Sequence, residues 1–140
     1  MFSLIQGNYL VFLFKIFKKL MNPLTIENVI PDWAKELPVS ITVTDRDANI
    51  LYMNDKAAAT FTKYGGEALI GNSLFDCHNA SSAAIIRQLL ENGSTNVYTI
   101  EKQGIRKLIW QSAWFSKGAI GGLVEISIVL PENMPHHIRG

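Results

Sequence analysis

The sequence has few of the residues that build covalent or metal-based chemistry. Its single cysteine, Cys77, cannot form a disulfide within the chain, which suits a reducing compartment, and we expect a cytoplasmic protein. It contains no Cys-x-x-Cys or His-Glu-x-x-His pattern, so we predict no metal site. It also lacks a Gly-x-Ser-x-Gly elbow and a glycine-rich phosphate loop. We therefore expect no catalytic residues and a protein that is not an enzyme.

An excess of charge of either sign is also lacking. The 140 residues include 13 basic and 12 acidic side chains, for a net charge of +1. This balance gives no electrostatic attraction to phosphate backbones, so we expect no nucleic-acid partner. The hydrophobic content of 48% is typical of a folded protein with one core and argues against disorder.

Residues 1–21 differ in composition from the rest of the chain. The stretch 2–17 is mostly apolar and is followed by Lys18 and Lys19. Crossing a bilayer as a helix takes about 20 mostly apolar residues, so this run is too short. Its basic residues follow the apolar run instead of preceding it, which is not the order of a secretory signal.

Three interpretations of this segment remain open. Residues 2–19 could lie on a membrane with the lysines at the headgroups. They could instead form a helix that packs on this domain or on a second copy. Alternatively, translation could start at Met21, which would make them upstream sequence. In each case, residues 22–39 are predicted to form a lead-in helix or linker.

The pattern of a folded domain begins at residue 40 and ends near residue 130. Residues 40–44 alternate between apolar and hydroxyl side chains, as in a half-buried strand. Turn formers and a second apolar stretch follow, which predicts a hairpin. Asn54 is then placed to cap a helix over residues 55–63.

The clearest helix is predicted over residues 82–91. Four apolar side chains share one face and polar residues occupy the other. Asn79 or Ser81 can cap its start, and Asn92-Gly93 is a typical helix end. The four apolar residues are Ile85, Ile86, Leu89 and Leu90.

Three strands are predicted after this helix, over residues 95–102, 106–115 and 122–130, with turns at Gln103-Gly104 and Lys117-Gly118. The middle strand has large apolar side chains on both faces. We therefore expect its outer face to contact a partner, and we predict a homodimer through Ile109 and Phe115. Residues 131–140 form a tail.

In this order and spacing the elements resemble those of a PAS domain over about residues 30–130. The resemblance rests on an Asp-rich hairpin turn, a strand that ends in Asn, a short helix, and a Gly-Leu-Asp-His segment before a longer helix. One departure is Ala48, where the turn often has glycine, and we expect Asn49 to take up the left-handed backbone. The matching residues are Asp45, Asp47, Asn54, Gly71, Leu74, Asp76 and His78.

The resemblance implies an α+β fold in which a five-stranded antiparallel sheet has short helices on one face and a longer helix before the last three strands. It also implies a sensory or dimerisation module. Known cofactors of the family include haem, flavin and small metabolites, and many members have no known ligand. The surroundings of Cys77 do not match the motif of flavin photosensors, so we do not expect that role.

Four residues are predicted to line a ligand pocket: Phe75, His78, Tyr98 and Trp110. For each, core packing or turn bracing is the simpler interpretation. His78 could also offer its imidazole to a haem iron. We expect Cys77 and His78 to point about 100° apart and not to bind one metal together.

The leading hypothesis is a PAS-like sensory domain that binds a small molecule, mediates dimerisation, or both. One alternative is a dimerisation module without a ligand, and another is a haem-based redox or gas sensor. Since the sequence shows no segment typical of an output domain, we expect either that a separate signalling protein is its partner or that the chain is a fragment of a longer sensor.

Overall fold

The computed structural model describes residues 32–140 together with Leu13. The predictions for the N-terminal helix and for most of the lead-in segment lie outside these described residues. Trp33 to Gly140 form one compact unit. Among the described residues, no helix is long and apolar enough to cross a membrane.

Five strands form a single antiparallel sheet, as predicted. The first two pair as a hairpin, and the last three form a meander whose final strand pairs with the first. The spatial order is β2-β1-β5-β4-β3, so the last strand is central. The strands are β1 (Ser40–Thr44), β2 (Ile50–Met53), β3 (Thr95–Lys102), β4 (Ile105–Ser116) and β5 (Ala119–Val129).

The turn between β1 and β2 is organised by the carboxylate of Asp45. Its Oδ1 accepts hydrogen bonds from the backbone N–H groups of Asp47 and Asn49, each at 2.9 Å. The expectation that Asn49 takes the left-handed backbone is wrong, because Ala48 has that conformation, with φ of 64°. Asn49 is instead fixed by its side chain, whose amide donates to Asp45 Oδ2 at 3.0 Å.

The two later hairpins turn where the sequence predicted. Gln103 and Gly104 have φ values of 53° and 75°, and Lys117 and Gly118 have 51° and 80°. Two consecutive left-handed residues match the right-handed twist of the flanking strands, which is why such turns close tight hairpins.

Two α-helices, α1 (Asp55–Thr60) and α2 (Ala80–Asn92), lie between β2 and β3. The helix predicted over residues 55–63 is shorter than expected, because it ends at Thr60 and continues as a separate 3-10 turn. Asn79 caps α2 by accepting from the N–H of Ser82 at 2.9 Å, and Gly93 ends it in a left-handed conformation. The 3-10 helices are Asp32–Ala34, Thr62–Tyr64, Gly66–Leu69 and Leu74–Cys77.

The core lies between one face of the sheet and the helices. Three of the four apolar residues of α2 are buried there, but Ile85 is 42% exposed and does not share their face as predicted. One cluster joins α2 to β5 through Leu123, and a second joins β2 to α1. Leu74 packs against both clusters and thus connects them. We call the sheet face that carries Leu123 the inner face.

The prediction that Ile109 and Phe115 lie on the outer face is wrong. Ile109 is 7% exposed and pairs with Ser127, two residues from Glu125 and four from Leu123 along the inner face. A bulge follows Trp114, and the ring of Phe115 turns against Gly93 at the end of α2. The apolar residue that β4 exposes on the outer face is Trp110.

Candidate functional site

A cavity of ≈ 270 Å³ lies between β1, β2 and β5 and the short helices. Its walls are mostly apolar, with a few hydroxyl, thiol, imidazole and carboxylate groups among them. Such a composition is typical of sites for small organic molecules. The lining residues are Thr42, Thr44, Ile50, Met53, Phe61, Tyr64, Leu69, Leu74, Cys77, His78, Leu123 and Glu125.

A row of directly paired residues crosses the inner face through all five strands. Thr42 pairs with Met53 on one side and with Glu125 on the other. Glu125 in turn pairs with Gln111, and Gln111 with Asn96. Since paired residues of neighbouring antiparallel strands point to the same face, these side chains lie side by side. Thr42, Glu125 and Met53 line the cavity.

Side-chain hydrogen bonds in this row form a chain of donors that ends at the carboxylate of Glu125. The side-chain amide of Asn96 donates to Gln111 Oε1 at 2.9 Å, and the amide of Gln111 donates to Glu125 Oε2 at 2.7 Å. The other carboxylate oxygen has no hydrogen-bond partner within residues 32–140. The one ion pair in this part of the chain, Lys35 with Asp55, does not involve Glu125.

His78 lies at the edge of the cavity, where the 3-10 helix Leu74–Cys77 ends. Its Nδ1 is 2.7 Å from the carbonyl oxygen of Leu74. A carbonyl can only accept, so Nδ1 must carry the hydrogen, and Nε2 of the neutral ring is an acceptor. The hydrogen bond therefore fixes both the orientation and the tautomer of the imidazole.

Cys77 is held near the same carbonyl. Its Sγ lies 3.3 Å from the oxygen of Leu74 and 3.5 Å from His78 Nδ1. The prediction that Cys77 and His78 point apart is thus wrong, because the extended backbone of His78 turns its ring back onto Leu74. Cys77 is exposed at the surface, and partial desolvation is the main cause that raises the pKa of its thiol, to which the charges of Asp76 and Glu125 add. No cluster of three or more potential metal ligands occurs among the described residues.

A shallow groove of ≈ 330 Å³ lies on the other side of His78. It is bounded by α2 and by the inner faces of β3 and β4, so His78 borders both spaces. Tyr98 is 41% exposed, and its partial burial in the groove raises the pKa of its hydroxyl, as does the charge of Glu125. The residues of the groove are His78, Ser82, Ile85, Asn96, Tyr98 and Gln111.

The four predicted pocket residues do not form one site. His78 borders the cavity and the groove, and Tyr98 lines the groove alone. Phe75 packs against α2, with the guanidinium of Arg87 4.5 Å from the centre of its ring. Trp110 pairs with Ile126 on the opposite face of the sheet, away from the cavity.

Thr42, Gln111 and Glu125 were not predicted from the sequence to lie near the site. Polar residues in the middle of strands are readily taken as solvent-facing, and only the pairing register places these three in one row. A signal was present, since Gln111 lies on the same side of its strand as two apolar residues, Ile109 and Ala113.

Comparison with known families identifies the family of this sequence. A PAS domain family, PAS_9, matches residues 38–110, which is more than half of the chain. The chain belongs to the PAS domain family. The matched range includes β1 to β3, both α-helices and much of β4. A search of curated proteins found no match to the sequence.

Several solved structures have the same fold. VqmA of Vibrio cholerae is 19% identical with a TM-score of 0.57, over 78% of this chain and 54% of VqmA. The PAS domain of BvgS from Bordetella pertussis is 17% identical with a TM-score of 0.52, over 71% of this chain and 82% of that domain. The Aer2 receptor of Vibrio cholerae is 14% identical with a TM-score of 0.51, over 66% and 95%. This chain thus aligns with about half the length of VqmA.

Aer2 is described as a dual PAS-haem oxygen sensor. Haem does not fit the cavity of the present chain. A complete haem group is larger than the ≈ 270 Å³ available. Its two propionates also need cationic or hydrogen-bonding partners, and no lysine or arginine among the described residues lines the space. Glu125 would instead repel a propionate.

Proposed function

We propose that this PAS domain is a sensory module that binds a small molecule in the cavity and passes the change to a signalling protein. The observation that carries the proposal is the cavity itself, which has apolar walls and a few convergent polar groups. The size of the cavity favours a small metabolite over haem or flavin. Two statements stay predictions: that the protein is not an enzyme, and that it is located in the cytoplasm.

The contacts of Leu74 connect the cavity with the packing of α2. Leu74 lines the cavity, packs against both core clusters, and accepts the hydrogen bond of His78 on its carbonyl. A ligand that moves Leu74 therefore changes the packing of α2 through the cluster that contains Ile86 and Leu89. Binding would shift the population of α2 positions, which a partner reads.

A similar solved structure supports the proposal that the ligand is a small molecule. One VqmA structure is described as bound to DPO, and it is 18% identical to this chain with a TM-score of 0.56. This likeness establishes the fold alone, so a bound molecule in the present chain is our proposal.

Native mass spectrometry of gently purified protein tests ligand binding. We expect a homogeneous mass excess that disappears on denaturation. Leu69→Trp fills the cavity and should abolish the excess, whereas Ile70→Trp changes the neighbouring side chain, which does not line the cavity. If the excess survives in Leu69→Trp, the molecule is bound elsewhere and the proposed site is wrong.

A second candidate function is dimerisation through the outer face of the sheet, with a second copy as the occupant. Val97 and Trp110 pair there and are 45% and 44% exposed, and apolar residues of β4 and β5 adjoin them. Large exposed apolar patches are typical of protein interfaces. VqmA, one of the similar structures, is described as a dimer. The adjoining residues are Leu108, Ile126 and Ile128.

Light scattering after gel filtration tests the dimer. We expect Val97→Glu and Trp110→Glu to give monomers, and Ile100→Glu to stay dimeric. Ile100 is a matched control, because it is 41% exposed on the same strand but its side chain points to the inner face. A wild-type protein that is monomeric at high concentration would exclude this candidate.

A further inference from the structure

We propose that the cavity selects a small organic cation, an amine on an apolar body, whose nitrogen binds Glu125 and Thr42. This inference rests on the proposed function and specifies the chemical class of the ligand. It follows from the charge of the lining, the register of two strands and the size of the space.

The charge of the lining favours a cation. Glu125 is the one acidic residue among the described lining residues, and none of these is a lysine or arginine. The effect of its charge extends beyond its own position, since it contributes to the raised pKa values of both Cys77 and Tyr98. In a mostly apolar space an unpaired carboxylate attracts a cation more strongly than it would in water. A neutral ligand gains less from this group, and an anion is repelled.

The strand register places a second acceptor beside the carboxylate. Thr42 pairs directly with Glu125 across β1 and β5, and its hydroxyl has no hydrogen-bond partner within residues 32–140. Thr44, the other threonine of the lining, is already engaged: its hydroxyl donates to Asp45 O and accepts from the N–H of Leu123. Thr42 and Glu125 are therefore the pair available to an ammonium group, which offers several N–H donors.

The carboxylate is held in place before a ligand arrives. The amide of Gln111, itself buried, donates to Glu125 Oε2 at 2.7 Å, and Asn96 holds Gln111 from the other side. A fixed carboxylate loses little conformational freedom on binding, which favours affinity. The hydrogen bond also occupies one oxygen and leaves the other for the ligand.

The volume sets the size of the apolar body. About nine groups of the size of a water molecule fill ≈ 270 Å³. Ile50, Met53 and Leu69 supply apolar wall around it. An aromatic ring with an aminomethyl group is of this size.

Three probes of almost equal shape test the inference: benzylamine, benzyl alcohol and benzoate. Each is titrated into ¹⁵N-labelled protein, and dissociation constants are taken from the shifts of the Thr42, Leu74 and Glu125 amides. We expect benzylamine to bind about tenfold more tightly than benzyl alcohol, because its ammonium group is attracted by the charge of the Glu125 carboxylate and the neutral hydroxyl is not. Benzoate should not bind.

Variants assign the preference to Glu125. Glu125→Gln should reduce the benzylamine preference to about twofold or less, because a neutral amide still accepts hydrogen bonds but carries no charge. Thr42→Val should weaken benzylamine binding and leave benzyl alcohol less affected. Glu101→Gln removes the same charge from an exposed position on β3 and should change nothing. Urea unfolding of each variant checks that it is folded.

Equal affinities of wild type for benzylamine and benzyl alcohol would overturn the inference, and so would an unchanged preference in Glu125→Gln. In both cases the cavity still binds small molecules and the proposed function stands. If none of the three probes shifts a cavity amide, the inference fails, and the proposed function is then judged by the mass excess of the purified protein.

Discussion

Gln111 and Glu125 face each other across β4 and β5, and the amide of Gln111 donates to Glu125 Oε2 at 2.7 Å. Gln111 also accepts from Asn96, so one buried glutamine links the groove to the cavity. Buried polar chains of this kind stabilise a fold when every member is satisfied and destabilise it when one partner is lost.

Gln111→Met, which keeps the approximate volume, is expected to lower the free energy of unfolding by about 1–3 kcal/mol, because the Glu125 carboxylate loses a buried donor. Urea unfolding measures the loss. The matched control is Gln88→Met on the exposed side of α2, which should change stability by less than about 0.5 kcal/mol. Equal effects of the two substitutions would contradict a structural role for the row.

Asn54 joins four parts of the chain through its buried side chain. Its Oδ1 accepts from the N–H groups of Ile41 and Ala57, at 3.0 and 2.9 Å. Its Nδ2 donates to the carbonyls of Ala34 and Val39, at 3.1 and 2.7 Å. The residue thus caps α1 and also ties the segment before β1 to the sheet.

Asn54→Ala is therefore expected to cost about 3 kcal/mol or more of unfolding free energy, since several buried groups lose their partner at once. Asn79→Ala removes the exposed cap of α2 alone and should cost about 1 kcal/mol. Chemical denaturation of both variants measures the difference. Similar losses would mean that the contacts of Asn54 beyond the cap contribute nothing.

Gly122 is required by a close approach between β5 and the end of β1. A Cβ at this position would collide with the carbonyl oxygen of Thr44. That carbonyl is held, because the indole Nε1 of Trp114 donates to it at 2.9 Å. The neighbouring Gly121 is covered by the same indole ring.

Gly122→Ala is expected to destabilise the fold by about 3 kcal/mol, the upper range for overpacking of a fixed backbone. It should also shift the indole N–H resonance of Trp114 as its hydrogen bond to Thr44 is displaced. Gly118→Ala lies in a turn with φ of 80° and no atom within 4 Å, so backbone strain alone should cost about 1 kcal/mol. An unperturbed Trp114 resonance in Gly122→Ala would contradict the collision.

The raised pKa of Cys77 predicts slow thiol chemistry and a pH effect on stability. Partial desolvation, with the charges of Asp76 and Glu125, disfavours the thiolate in the folded chain. Between the ordinary pKa of 9.0 and the raised folded value, the folded chain keeps a proton that the unfolded chain has lost. The raised pKa therefore contributes its full stabilisation below pH 9.0, and this stabilisation is lost as the pH rises from 9.0 through the folded-state pKa.

Alkylation by iodoacetamide over a range of pH measures the thiolate directly. Below the raised pKa, we expect Cys77 to react more slowly than N-acetylcysteine, and Glu125→Gln to react faster than wild type. Glu91→Gln, on the exposed side of α2, should leave the rate unchanged. A wild-type rate equal to that of the free thiol would contradict the predicted shift.

The sequence by itself determined the family and the order of elements. Local signals sufficed for this: the turn residues at Gln103-Gly104 and Lys117-Gly118, the cap at Asn79, and the helical spacing of Ile86, Leu89 and Leu90. Each depends on backbone conformation or periodicity within a few residues, which neighbours in the chain already fix.

The tertiary structure decided which residues form the site. Trp110 was predicted to line the pocket but lies on the outer face, whereas Glu125 lines the cavity on the inner face. Alternation along a strand separates the two faces of a sheet, but it does not indicate which face the helices cover. The sequence analysis assigned Ile109 to the outer face, and the packing of α2 placed it inside. Thr42 and Glu125 lie 83 positions apart in the sequence, and they meet because the last strand pairs with the first. No local property of either residue determines that register.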